Sequence, residues 1–260
     1  MLIVVSPAKS LDYETPIRTR KHTEPQFLKD AAQLVTQLKK FTPDDLSELM
    51  NISSNLGELN HTRYANWQTP FKSPEARQAM FAFKGDVYLG LKAEEFSVSD
   101  VSFAQKHLRI LSGLYGMLRP LDLMLPYRLE MGTRLENKRG KNLYEFWGSK
   151  LTDALNEEFA SQRSKVLVNL ASNEYFNSVQ AKALDAEVVS PVFKDWSSGK
   201  YRVLSFFAKK ARGEMAAFII RNRIDTAAAL KDFNVEGYAY SEADSTDAKP
   251  VFLRKDRPGA

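Results

Sequence analysis

The stretch Leu111-Ser112-Gly113-Leu114-Tyr115-Gly116-Met117-Leu118-Arg119-Pro120-Leu121-Asp122 sets two glycines three residues apart, with Arg109 and Arg119 on either side. It follows an apolar-periodic run from Phe103 to Leu111, and the spacing predicts a helix-hairpin-helix over about 103–125. Glycine allows φ > 0 and a close approach of backbone to ligand. The N–H groups of such a turn, and of the helix after it, form a small anion cradle. The chemistry would be phosphate binding, with Gly113, Tyr115 and Gly116 donating backbone N–H beside Ser112 and Leu114. The same spacing also serves as a plain turn.

A second basic group is Lys209-Lys210-x-Arg212, ahead of Gly213. On a helical wheel Ala211, Met215, Phe218 and Asn222 share one side and the basic residues spread over the other. That face is either a solvated surface or an anion contact. Ser6 and Lys9 have Ser-x-x-Lys spacing, but in a strand-to-loop exit. Arg128 and Glu130 share a face if 126–132 is extended. Asn173 and Glu174 close the segment Asn169 to Tyr175, after a short β-rich run. Ser6, Lys9, Asp12, Arg128, Glu130, Asn173 and Glu174 could therefore line a polar cleft, or form a buried salt-bridge network. The first option makes this chain an enzyme or a small-ligand protein. No phosphate-binding Gly-x-x-x-x-Gly-Lys-Ser/Thr, dinucleotide Gly-x-Gly-x-x-Gly or zinc-protease motif occurs.

Composition narrows the classes. The 260 residues are 43% hydrophobic and 27% charged, an ordinary globular balance. No apolar run reaches membrane-spanning length, and the apolar start Met1 to Val5 is too short for a signal segment. A cytoplasmic protein without membrane association is expected. The absence of cysteine removes thiolate catalysis, disulfides and Cys-ligated metals. His22, His61 and His107 are scattered, so no transition-metal site, cofactor or catalytic residue is assigned. The net charge of +5 is uneven: windows 100–141 and 208–223 each carry +4, leaving −3 elsewhere. Clustered positive charge fits a phosphate-backbone binder.

The elements that must position these residues follow from pattern. Leu2–Ser6 and Val166–Leu170 read as buried strands, and 24–41, 53–67, 73–83, 142–160 and 208–223 as helices. Thr42-Pro43-Asp44-Asp45 and Ser73-Pro74-Glu75 are helix starts. Ser197-Ser198-Gly199 marks a hairpin between 187–193 and 200–207, and 237–240 faces 250–254 in another. The result is one α+β domain over 1–260, a mixed sheet with surrounding helices.

Taken together, 6–12 (Ser-Pro-Ala-Lys-Ser-Leu-Asp), 83–88 (Phe-Lys-Gly-Asp-Val-Tyr), 111–116, 118–122, 126–132, 169–176 and 208–213 resemble the bacterial YaaA peroxide-stress-resistance family, in order and over residues 1 to about 254. The resemblance implies a cytoplasmic protein that limits oxidative damage and free intracellular iron under hydrogen peroxide. It also implies an α+β fold with a helix-hairpin-helix, and DNA binding. The hairpin role falls on Ser112, Gly113, Leu114, Tyr115 and Gly116. Arg109, Arg119, Lys209, Lys210 and Arg212 would supply charge to DNA, without strong sequence specificity. A third class is an iron-linked regulator acting through protein partners not specified by the sequence.

Overall fold

Four apolar residues after Met1 form β1 (Leu2–Val5), buried on both faces in the computed structural model, which describes residues 1–72 and 74–256. The chain continues through β2 (Ser10–Leu11), α1 (Leu28–Leu38), α2 (Pro43–Met50), α3 (Ser54–Asn66), β3 (Arg77–Gln78), α4 (Ala79–Ala82), β4 (Phe83–Lys84) and α5 (Asp86–Leu91). Next come α6 (Val98–His107), β5 (Leu108–Ser112), β6 (Gly116–Leu118), β7 (Leu123–Met124), α7 (Leu143–Trp147), α8 (Lys150–Ala160), β8 (Val166–Leu170) and α9 (Asn173–Phe176). The last part holds β9 (Glu187–Val189), β10 (Val192–Ser197), β11 (Lys200–Arg202), α10 (Ser205–Asn222), β12 (Ala239–Tyr240) and β13 (Val251–Arg254). The class is α+β with mixed sheets.

The main sheet has the order β6-β5-β1-β8-β9. β1 pairs in parallel with β5 on one side and β8 on the other, and β8 with β9; only β6 runs antiparallel. Parallel strands need long crossovers, usually helical. The chain leaves β1 in one direction to reach β5, then returns past it to reach β8. The gap between the carboxyl ends of β1 and β8 is thus a topological switch point, where ligands of open α/β sheets bind. A second sheet, β11-β10-β13-β12, carries the expected tail hairpin and the turn at Ser198-Gly199. Both turn residues take left-handed φ, 51° and 81°, as a two-residue hairpin of this hand requires. β9, expected as the first arm of that hairpin, joins the main sheet instead.

Local signals place several helices. Thr42 and Asp45 close a capping box on α2 around Pro43, and Ser97 with Asp100 does the same for α6. The expected helix over 142–160 is two, broken at Gly148 with φ 53°. The expected 73–83 helix is reduced to the strand β3 and the four-residue α4; Ser73 lies outside the described residues. α5 and α10 cross in close contact, since a Cβ on Gly213 would stand 1.8 Å from the Val87 carbonyl oxygen.

The helix-hairpin-helix expected at 103–125 is not what forms there. α6 ends at His107, and β5 and β6 make an antiparallel β-hairpin around Gly113-Leu114-Tyr115. Residues 108–118 are all buried. A strand buried on both faces has no polar alternation, so its apolar run imitates a helix. Helices joined by a tight link occur instead at α2 and α3, through Asn51-Ile52-Ser53 with Asn51 at φ 49°.

Gly116 shows what the glycines are for. Its φ is 69°, and an added Cβ would lie 2.7 Å from the Trp147 ring and 2.9 Å from Leu151. Gly116→Ala should lower stability by about 1–3 kcal/mol through strain and overpacking. Thermal unfolding checks this, and an unchanged melting temperature would contradict it.

Candidate functional site

The residues of the expected phosphate turn are engaged inside the protein. Arg109 is buried in β5, donating from Nε to Glu158 of α8 at 2.8 Å and from Nη1 to the Gln105 and Leu108 carbonyls. Ser112 Oγ is 2.6 Å from Tyr127 Oη and accepts the Tyr115 N–H at 2.9 Å. Tyr115 is fully buried, its hydroxyl receiving the Trp67 indole N–H and the Leu125 N–H. Gly113 presents its carbonyl to Trp147 Nε1 at 3.0 Å, and Leu114 is fully buried. Arg119 is partly exposed, but it is bound to Asp122 and to the Glu24 carbonyl. No face of 111–116 is open to a DNA backbone.

The proposed cleft does assemble, at the switch point. Ser6, just past β1, accepts the Ser172 N–H from the loop after β8 at 2.9 Å, which ties the two strand exits together. Lys9 Nζ lies 2.8 Å from Glu130, and Arg128 pairs with the other oxygen of Glu130 at 3.3 Å. These three side chains line a narrow crevice with Pro7, Tyr127 and Tyr175. Arg128 Nε is buried and makes no hydrogen bond among the described residues. Glu174 accepts the Gly132 N–H at 3.0 Å, beside the crevice. Asn173 is exposed at the start of α9, and Asp12 turns away to close its own loop through Thr15 and Glu14. Tyr127 and Tyr175 were missed in sequence, although both adjoin charged residues that were singled out; burial pushes both phenols well above the ordinary range. α3 supports the crevice from behind, with Tyr64 Oη donating to the Arg128 carbonyl.

On α10 the three basic residues separate. Lys210 is tied to Glu214 at 3.2 Å and Glu236 at 3.3 Å. Lys209 is exposed and Arg212 half-buried, and neither forms an ion pair or side-chain hydrogen bond among the described residues. Burial lowers the Arg212 pKa from its ordinary value. Sequence reading overlooked Lys200 and Arg202 on the adjacent hairpin, which also lack ion pairs among the described residues; Arg202 Nε is buried without a hydrogen bond. The alternation of Lys, Trp, Tyr and Arg around Ser198-Gly199 was the available signal. From 192 to 212 there are six basic residues and one acid, Asp195, which is 1% exposed and paired with Arg254.

Two further features bear on partners. Ser53 precedes α3 without capping it, so among the described residues the first turn of α3, with Ser54 and Asn55 exposed, has no side-chain acceptor for its N–H groups. The neighbouring α2 bears Asp44, Asp45 and Glu48, which weaken that end for anions. Among the described residues no helix is long and apolar enough to cross a membrane.

The family profile described as "Peroxide stress protein YaaA" matches residues 1–244. A UPF0246 protein of Cellvibrio japonicus is 57% identical over 256 residues, covering 98% of this chain and 99% of its own length. One from Aliivibrio fischeri strain MJ11 is 56% identical over 257 residues, covering 99% of both chains. Another, from Saccharophagus degradans, is 56% identical over 255 residues, covering 98% of this chain and all of its own.

Asp12 gives this edge of the sheet a pH dependence. Hydrogen bonds from the Thr15 N–H and hydroxyl lower its carboxyl to about 2 from an ordinary 3.8. A carboxyl held low stabilises the fold above the unfolded pKa, near 4, and loses that contribution as pH falls through about 2. NMR titration of Asp12 should report the low value, and Thr15→Val should raise it and flatten the acid-side loss of stability. Titration near 3.8 in the unaltered protein would contradict this.

Proposed function

The chain belongs to the YaaA family of peroxide stress proteins, and from that premise we propose that it acts in peroxide defence by binding DNA through backbone phosphates. The observation that carries this reading is the basic face of β10, β11 and the start of α10. Lys200, Arg202, Lys209 and Arg212 stand there without carboxylate partners among the described residues, and the one acid of the segment is buried and neutralised. Unpaired cations on one face lower the free energy of a phosphate chain by releasing its condensed counterions, independent of sequence. In this reading Arg109 and Arg119 are structural ions, and the limitation of oxidative damage and of free intracellular iron lies downstream of DNA binding.

A second reading, a small anionic ligand at the switch point, is favoured by the convergence of Lys9, Arg128 and Glu130 and by the unsatisfied Arg128 Nε. A ligand carboxylate or phosphate would replace Glu130 on Lys9 and Arg128, and the freed Glu130 would then serve as a base. Here Arg128 and Lys9 would bind, Tyr127 and Tyr175 would wall the crevice, and DNA affinity would be incidental.

One titration series separates the two. With roughly four phosphate contacts, log K for duplex DNA should fall with log salt at a slope of about −4. Lys200→Glu with Lys209→Glu, both at exposed positions, should reduce the slope by about 2 and cost at least tenfold in affinity. Lys9→Ala with Arg128→Ala should leave DNA binding unchanged. A flat salt response, or no binding at low salt, would overturn the DNA reading. Loss of peroxide protection in cells carrying only the second pair would establish the crevice as the working site.

A further inference from the structure

The crevice at the switch point sets three cationic donors against an anion with two oxygens. Glu130 Oε2 lies 2.8 Å from Lys9 Nζ, and Glu130 Oε1 accepts from Arg128 Nη2 at 3.3 Å. Both oxygens are thus in use, and Arg128 Nε stays buried without a hydrogen bond among the described residues. Nε and Nη2 share one edge of the planar guanidinium, the edge that takes an oxyanion side-on through two parallel bonds. Here that edge is half filled. A buried N–H without an acceptor is costly, and one more oxygen beside the two of Glu130 would remove the cost.

The walls decide what can bring that oxygen. Pro7, Ala8, Tyr127, Leu129 and Tyr175 close around the ion pairs and leave a cavity of about 10 Å³, the room of one water. The Arg128 side chain is 17% exposed and that of Lys9 61%, so the guanidinium forms the floor and the ammonium the mouth. Glu130, at 25%, reaches water and is free to swing outward. Glu174 is turned to the Gly132 N–H, 3.0 Å away, and pairs with neither cation among the described residues. A ligand therefore enters by its head group alone, in the place that Glu130 fills. A carboxylate, or a phosphodiester of a nucleic-acid backbone, has two free oxygens and one charge, and does no more there than Glu130 already does. The head of a phosphomonoester has three free oxygens and up to two charges, which match three donors on two cations.

We propose that the crevice is a phosphomonoester site kept shut by its own carboxylate. The terminal phosphate displaces Glu130 and meets Lys9 Nζ, Arg128 Nη2 and Arg128 Nε with its three oxygens. The proposal rests on the small-anion reading of the crevice and names its ligand. A free phosphate ester and the phosphorylated end of a nucleic-acid strand present the same group.

The test is calorimetric titration of the whole protein with methyl phosphate, dimethyl phosphate and acetate. Methyl phosphate should bind at least roughly tenfold tighter than the other two, and should weaken as pH falls below about 6, where the ester takes up its second proton. Glu130→Gln, which removes the competing charge, should tighten methyl phosphate by roughly tenfold, a gain that a merely structural carboxylate would not give. Arg128→Lys keeps the charge but loses the two-donor edge, and should bring methyl phosphate down to the level of dimethyl phosphate. Equal affinity for methyl phosphate and acetate, or no gain in Glu130→Gln, would overturn the proposal while a small-anion site stands. No binding of any of the three, by the unaltered protein or by Glu130→Gln, would overturn the small-anion reading as well. The three-ligand comparison decides the case even if Arg128→Lys fails to fold. Oligo(dT) with a 5′-phosphate or a 5′-hydroxyl then locates the source of the group. A gain from the 5′-phosphate that Lys9→Ala abolishes supports a strand end, and methyl phosphate binding without such a gain supports a free ester.

Discussion

The rest of the molecule depends on β1 being paired in parallel on both sides. Leu2, Ile3 and Val4 are fully buried, with β5 and β8 as neighbours in register. A strand in that position has no solvated face, so helices must cover both sides of the sheet. Its parallel neighbours can be reached only by crossovers, which the helical segments between β1 and β5, and α7 and α8 before β8, provide. The exits of β1, β5 and β8 consequently meet at one edge. Residues 6–9, 127–130 and 172–175 are brought there from across the chain, and Ser6 bonded to Ser172 fastens them. The crevice follows from the topology.

The turn after β5 shows how one sequence feature can have two physical uses. Gly-x-x-Gly can open backbone N–H groups to an anion, or can let bulky neighbours close over the backbone. Here the second applies. Trp147 and Leu151 occupy the space a Cβ would need at Gly116, and the Leu129 carbonyl occupies that space at Gly113, 2.3 Å away. Ser112 takes the Tyr115 N–H that an anion would need. Arg109, which looked like a clamp, neutralises Glu158 below the surface, where losing one partner would strand the other charge at a cost of about 3–5 kcal/mol. Positive charge in a sequence window thus divides into ions that hold the fold and ions left for partners. Of the basic residues in 100–141, Arg109, Arg119, Arg128 and Arg139 are committed to Glu158, Asp122, Glu130 and Asp30. The exposed Lys106, Arg134, Lys138 and Lys141 of that window stay without ion pairs among the described residues, as do Lys200, Arg202, Lys209 and Arg212 further along the chain.

Much of the fold is legible because its signals are local. Thr42-Pro43 starts α2, the run Val166–Leu170 is β8, and Ser198-Gly199 turns the β10–β11 hairpin, each where its chemistry indicates. The trio Lys9, Arg128 and Glu130 was also readable as a group, since charged residues at strand exits tend to gather. What was hidden depends on burial. β5 looks helical because both its faces are covered, and α7 and α8 look continuous because Gly148 breaks a periodic run without a proline. The exposure of Trp196 and Phe206 was invisible for the opposite reason: both have the composition of core residues, and only three-dimensional packing leaves them in water.

The central claim is that nucleic acid is held on the β10–β11 hairpin and α10, and not on the glycine turn. Photo-crosslinking to DNA carrying bromouracil, followed by peptide mapping, tests it most directly. The account predicts crosslinks within residues 194–212 and none in 108–118. Crosslinks at Tyr115 or elsewhere in 108–118, with 194–212 unmodified, would contradict it.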